Sequence, residues 1–548
     1  MRLRLCSSAP LIVTAAKQGD IMKKLLTIAA MFLVVSGLVF YRSNTQAKYF
    51  PRAVFCAIVS NNPCSLMPSY IGPDPLLKKS DGYSGLFGPP PNSVAKDVQT
   101  PFDNMAWQMF VALNWAASAT KQTAAVGLTA KGPRVWQKYR KVSSLFGNSP
   151  VTAKCSNPTG LPVLLIGSDG SGNTEPNNEE YFQASTNLPL IDINGNWAIF
   201  ERRVNDVEAQ YLLAPNGQTS LTLTTQTGQT NFIGVYPKGA SFTPSGPTPL
   251  SKQGSIEIKT AWRIIDSSKG DNPSRYYTQT AIVAVPGDLV SGGQQVCATV
   301  TVGLVGMHII QRNPLVTPRN GNLLPQWIWA TFEHVDNAPM AQFPCNVRNG
   351  CGKNPSTNWI NQPSCGPALP AQSVRYSFYK QNAGVQGTNI RPAPSSSSKA
   401  PHFPWNSKAP YAQGGTTPAT AMPQVARCWS IYSTTMQLNS QWRNKLNSYN
   451  TPFQNYMLIG TQWGGSIEPE VGNPLPVNAI PAMLSNMTLE TYIQNYTGSD
   501  TNLPGPGSCV GCHSGAALVV KPYPQSDFSF LPLLAEPATA RSKIKTAR

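Results

Sequence analysis

The chain has 548 residues with 43 basic and 25 acidic side chains, a net charge of +18, yet only 12% of its residues are charged. Hydrophobic content of 41% is enough for sizeable cores, and the length suggests more than one folding unit. Asn, Thr, Ser, Gly and Pro stand where charge is usual, a composition common in secreted β-rich proteins and rare in cytosolic enzymes.

From Met22 the chain reads "MKKLLTIAAMFLVVSGLVFYRSNTQAKYF". Two lysines, about 16 mostly apolar residues and then small residues at Thr45 and Ala47 are the layout of a secretory signal peptide. Cleavage is expected after Ala47, with an uncleaved membrane anchor as the alternative. Residues 1–21 make poor sense ahead of such a signal, so Met22 is the expected start and residues 1–47 are set apart. Without them the basic and acidic residues number 37 and 24, a net charge of +13. The positives are scattered. They suit acidic redox partner proteins or an anionic membrane surface, and export argues against nucleic acid.

Residues 48–150 are expected to form a helical and loop segment. In "PFDNMAWQMFVALNWAAS", residues 101–118, Phe102, Met105, Met109, Phe110 and Leu113 share a helical face. Residues 151–337 are expected to be a β-rich body. "GSIEIKTAWRII" alternates Ile256, Ile258, Trp262 and Ile264 against Glu257, Lys259 and Arg263. "SLTLTT", "FIGVYP", "YYTQTAIVAVP", "CATVTVGLVGMHII" and "PQWIWATFEHV" are further strand-like runs bounded by Pro, Gly and Asn. Their spacing predicts a mainly β fold with some α, its body an antiparallel sandwich or barrel. Residues 338–424 read as a Pro/Gly/Ser-rich, disulfide-bearing insertion, partly disordered near 385–400. Residues 425–548 read as helical, with helices over "QVARCWSIYSTTMQLNSQWRNKL" and "PAMLSNMTLETYIQNYT".

"GSCVGCHSGAAL", residues 507–518, holds the one Cys-x-x-Cys-His of the sequence. Two thiols that add to haem vinyl groups, followed by an iron-ligating imidazole, make this the attachment signature of haem c. Cys509 and Cys512 are then the anchors and His513 the proximal ligand of one covalent haem. A zinc site would need two more nearby ligands, and a redox Cys-x-x-Cys would not need the adjacent His. The eight cysteines outside the motif and the discarded Cys6 are an even number, consistent with disulfides in an exported chain. They are Cys56, Cys64, Cys155, Cys297, Cys345, Cys351, Cys365 and Cys428, with Cys56–Cys64 the easiest local pair.

After His513 there is neither Met nor His, only Lys521, Lys543, Lys545 and Tyr523 as less common ligands. The sixth iron position is therefore filled from upstream or stays open. His308 is the first candidate, on a strand face expected to carry Val302, Leu304 and Ile310. His334, on a face with Ile328, Ala330 and Phe332, is the second. Met307, Met483 and Met487 follow, and His402 is expected to be exposed. Each His is also consistent with a hydrogen-bonded core residue. Glu333, His334, Asp336 and Asn337 form a dense polar group at a strand end, able to serve as acid and base or to hold a metal. Trp327 and Trp329, with Trp262, are candidates for an electron relay or for core packing.

The stretches "WQMFVALNW", "GSIEIKTAWRI", "VGLVGMHIIQR", "PQWIWATFEHVDNAP", "CVGCHSGAAL" and "SDFSFL" together resemble large exported bacterial single-haem proteins described as cytochrome c family proteins. The resemblance covers most of residues 100–535. It implies covalent haem at Cys509 and Cys512 with His513 on iron, and no particular substrate. Three functions compete: periplasmic electron transfer, a haem-c peroxidase or oxygenase using Glu333 and His334 at an open distal site, and a β-sandwich binding module with an accessory haem.

Overall fold

Strict alternation makes the frame. In Ile256–Ile264, Ile256, Ile258, Trp262 and Ile264 enter one core, while Glu257, Lys259 and Arg263 point the other way. The computed structural model describes residues 99–117, 125–146, 155–165, 190–242, 254–285, 290, 293–312, 327–345, 368–371, 373–381, 388–389, 424–464, 484–494 and 509–535, all within one unit, Ala53–Arg548. The export segment, Cys56, Cys64, Met483, His402 and most of the 338–424 insertion, including nearly all of 385–400, lie outside the described residues.

Eight strands form the main sheet: β1 Arg140–Lys141, β2 Val163–Leu165, β3 Ile199–Val204, β4 Ile256–Ile264, β5 Thr278–Val285, β6 Val296–Arg312, β7 Trp327–His334 and β8 Tyr456–Gly464. Their order is β8-β7-β6-β4-β3-β1. The long β6 carries β5 along its first half and β7 along its second, both antiparallel, and β2 runs parallel to β5. The fold is thus mainly β, largely antiparallel, with a few helices. No barrel closes among the described residues, since the sheet runs open from β8 to β1.

Helices α1, Gln99–Leu113, and α4, Ser433–Asn447, contribute side chains to the core on one face of this sheet. The predicted stripe of α1 is buried, and so is its polar side. Asp103 accepts from Gln99, Thr435 and Thr461, so the carboxylate is buried with its bonds made. Trp107 stacks on Trp442 of α4 and meets Phe332 of β7 edge-on.

A bulge in β6 decides which side chains reach the other face. Ala261 faces Gly306 but Trp262 faces Leu304, so Val305 is an extra residue. One inserted residue reverses the parity of everything beyond it. Val302 and Leu304 therefore share the helical-side core with Met307 and Ile309, while Ile310 joins a second apolar layer with Trp327 and Trp329. The expectation that His308 shares a face with Val302 and Leu304 is corrected; it shares one with Ile310 only.

Four other elements differ from expectation. "SLTLTT" is a 3-10 turn and a loop, and "FIGVYP" lies largely in helix α3, Gln226–Val235. Thr225 caps that helix by accepting from Gly228 N–H, and Phe232 is buried from it. "QVARCW" gives strand Arg427–Trp429 before α4 begins. Residues 484–494 form turns rather than an α-helix. There the Asn486 side chain takes Thr488 N–H and Oγ, offering the backbone a local alternative to a helix.

Of the expected disulfides, Cys155–Cys297 is present and Cys428 is disulfide-bonded. Among the described residues no helix is long and apolar enough to cross a membrane. Arg263 is buried between Asp192 and Asp271, both at 3.0 Å. Arg263→Leu would leave two buried carboxylates without their cation, and we expect about 3–5 kcal/mol of lost stability. Urea unfolding measures it, and a loss below about 1 kcal/mol would contradict the ion triad's role.

Candidate functional site

The haem motif packs on the sheet face away from α1 and α4. Cys509–His513 is a single helical turn, α5. Val510 is buried in the layer that holds Ile310, Trp327, Trp329, Leu518 and Leu531. Its backbone N–H donates to Gln462 Oε1 of β8 at 3.2 Å, which ties the turn to the sheet edge.

His513 is oriented by a single bond. Its Nδ1 lies 2.7 Å from the Phe528 carbonyl oxygen, which can only accept. Nδ1 therefore carries the proton, and Nε2 keeps its lone pair. Burial lowers the His513 pKa and so favours the neutral ring. The acceptor is held in an unusual backbone: Asp527 and Phe528 have φ of 50° and 66°. For a bulky residue such a φ is costly and needs outside support. Arg312, at the end of β6, supplies it by pairing with Asp527 at 3.0 Å.

The rings of Trp329 and Phe530 stand 5.6 and 5.0 Å from that of His513, and Phe528 meets Trp329 edge-on. Cys509 and Cys512 are thiols, both half-buried. Burial pushes the Cys509 thiol well up, with the Glu490 carboxylate adding to it. A reactive redox cysteine is shifted the opposite way.

His308 faces the same side. Its Nε2 is 2.7 Å from Glu490 Oε1, and the other Glu490 oxygen accepts from Asn486 N–H. Burial alone would raise the Glu490 pKa; His308 and Lys259 hold it below the usual carboxylate range. The ionised carboxylate accepts, so His308 Nε2 is the donor of that bond. The loop carrying Glu490 presses onto β6 at Gly306, where a Cβ would lie 2.2 Å from Thr488 Oγ1. His308 and Glu490 both act electrostatically on His513.

No protein-family model, curated protein or solved structure matches the chain.

The remaining candidates separate. Glu333 and His334 are neighbours on β7 and so point to opposite faces. Glu333 is fully buried and bonded to Arg427 and to Met487 N–H. His334 Nε2 donates to the Arg275 carbonyl, its Nδ1 accepts from Asp336 N–H, and its ring stacks on Tyr276. Asp336 is held by Arg275, and Asn337 donates to the Val305 carbonyl. Glu333, His334 and Asp336 are thus each engaged in structural bonds, while the buried Asn337 Oδ1 has no hydrogen-bond partner among the described residues. Among the described residues no group of three or more His, Cys, Asp or Glu stands ready for a metal ion. Met307 lies in the helical-side core and Met487 in a third apolar cluster. Trp262 is across the sheet from the Trp327–Trp329 pair, whose rings are 6.2 Å apart. Sequence reasoning missed Phe528, Glu490, Gln462 and the Arg312–Asp527 pair. Asp527 and Phe528 do lie in "SDFSFL".

Because His334 is buried neutral, its pKa falls to about 4, chiefly through desolvation and against the pull of Asp336. Below its ordinary value the unfolded chain takes up a proton that the folded chain refuses. Stability is therefore lost as pH falls through the unfolded value toward about 4, by up to about 3 kcal/mol. The gap in unfolding free energy between wild type and His334→Asn should narrow by that amount from neutral pH to about pH 4. A pH-independent gap would contradict the assignment.

Proposed function

We propose that the chain is an exported c-type haem protein that moves single electrons through one haem held by Cys509 and Cys512 and ligated by His513. The observation that carries this reading is the His513–Phe528 bond, which leaves Nε2 as the ligating nitrogen on the turn that presents both thiols. The surroundings fit such a group. The wall beside His513 is aromatic and apolar. In it the buried indole N–H of Trp329 has no hydrogen-bond partner, a donor suited to an acidic group of a bound molecule. Haem supplies reversible one-electron exchange. The chain orients the imidazole and favours its neutral form.

The Cys155–Cys297 and Cys428 disulfides favour an oxidising compartment, the periplasm or outside. Net positive charge favours acidic redox partner proteins, with an anionic membrane surface as the other surface it suits. The test is intact mass and absorbance of protein exported by a cell that attaches haem c. One covalent haem per chain supports the reading, and none refutes it.

A second reading rests on the His308–Glu490 pair. If His308 does not ligate iron, the sixth position is open and the buried carboxylate–imidazole pair can move a proton there, as a haem-dependent oxidoreductase requires. High-spin reduced protein that binds carbon monoxide selects this reading, and low-spin protein that does not bind it selects electron transfer.

A further inference from the structure

On the opposite side of the sheet from the Cys-x-x-Cys-His turn, α4 and the 3-10 turn Pro452–Asn455 line an open cavity of about 400 Å³. Its wall is of two kinds. Ile431, Met436 and Met457 are apolar, and the other seven lining residues, Arg443, Asn444 and Asn447 among them, are polar. Among the described residues no carboxylate lines it, and its one charged lining residue is Arg443.

Arg443 is oriented but not neutralised. Its Nε donates to the Gln454 carbonyl at 2.7 Å, which fixes the plane of the guanidinium. Among the described residues no carboxylate pairs with it. The carboxylate that acts on it, Asp336, is already held by two bonds from Arg275. Two guanidiniums therefore share one carboxylate, and the surplus positive charge belongs to Arg443. It is half-buried, and both burial and Arg275 disfavour its charged form. An anion in the cavity would relieve that cost.

We propose that this cavity binds a small organic monocarboxylate, with its carboxylate on the Nη edge of Arg443, its polar substituents on Asn444 and Asn447, and its carbon skeleton on Ile431, Met436 and Met457. A fixed guanidinium edge matches a carboxylate through two parallel bonds. The apolar wall calls for carbon, which inorganic phosphate lacks. A doubly charged anion is disfavoured further, because Asn444 and Asn447 lie in the last turn of α4, the negative end of the helix dipole. The site stands apart from the haem segment and does not rest on the haem reading.

The test is titration calorimetry of the full exported chain with sodium lactate, butyrate, lactamide and phosphate at constant ionic strength. We expect saturable binding of lactate or butyrate and none of lactamide or phosphate. Arg443→Gln should weaken binding at least about tenfold through loss of the bidentate pair. Met436→Glu, at a residue 56% exposed and so unlinked to folding, places a carboxylate at the cavity and should abolish binding. The haem absorbance should be the same in all three proteins. Lactamide binding equal to lactate, phosphate as the one anion bound, full binding by Met436→Glu, or no saturable binding by wild type would each overturn the proposal.

Discussion

Alanine at both Cys509 and Cys512 should leave a chain with no covalently bound haem. The two thiols sit three residues apart on one helical turn, half-exposed, with the helix pinned by Val510 to Gln462. Addition to two vinyl groups needs both sulfurs within reach of one porphyrin edge, and a single turn supplies that. Each single variant keeps one thioether and the His513 ligand, so reduced haem staining on a denaturing gel is expected there, and none in the double variant. Val510 and the apolar layer beneath it are untouched, so the far-ultraviolet circular dichroism should change little. Staining retained by the double variant would sink the haem assignment, whatever its spectrum in solution.

The Cys-x-x-Cys-His turn was legible as a local motif because its residue types and spacing are contiguous in sequence. No tertiary contact is needed to read Cys-x-x-Cys-His. The strand runs were legible for a similar local reason, since β4 keeps one parity from Ile256 to Ile264. The bulge at Val305 was not. In "VGLVGMHII" nearly every residue is apolar, so an extra residue leaves no break in the pattern. That hidden shift misassigned the face of His308. His308 lies opposite Thr331, one diagonal from Trp329. Glu333 and His334 are adjacent on a strand, and period-2 geometry sends them to different faces. Glu490 escaped notice because its partner is 182 residues away. "FIGVYP" has strand composition, yet the Thr225 cap upstream commits it to a helix, where tertiary burial of Phe232 decides.

His308→Ala should convert six-coordinate low-spin haem into a high-spin form that binds carbon monoxide. Two imidazoles face the same side of the sheet with the same division of labour. His513 gives its Nδ1 proton to Phe528, and His308 gives its Nε2 proton to Glu490. Nε2 of His513 is thereby left to ligate, and Nδ1 of His308 can do so once that ring is neutral. The other candidates have committed their nitrogens or lie elsewhere. His334 uses both nitrogens and sits across the sheet, Met307 is in the helical-side core, and Met487 is buried in a separate cluster. His334→Ala and Met487→Ala should therefore cost stability, of order 2–5 kcal/mol for the buried Met, while keeping the low-spin spectrum. Glu490→Gln separates ligation from mere proximity. It removes the charge that fixes the His308 tautomer, so the low-spin fraction should fall and become pH-dependent without disappearing. If His308→Ala keeps a fully low-spin spectrum, His308 is a core residue held by Glu490 and not the sixth ligand.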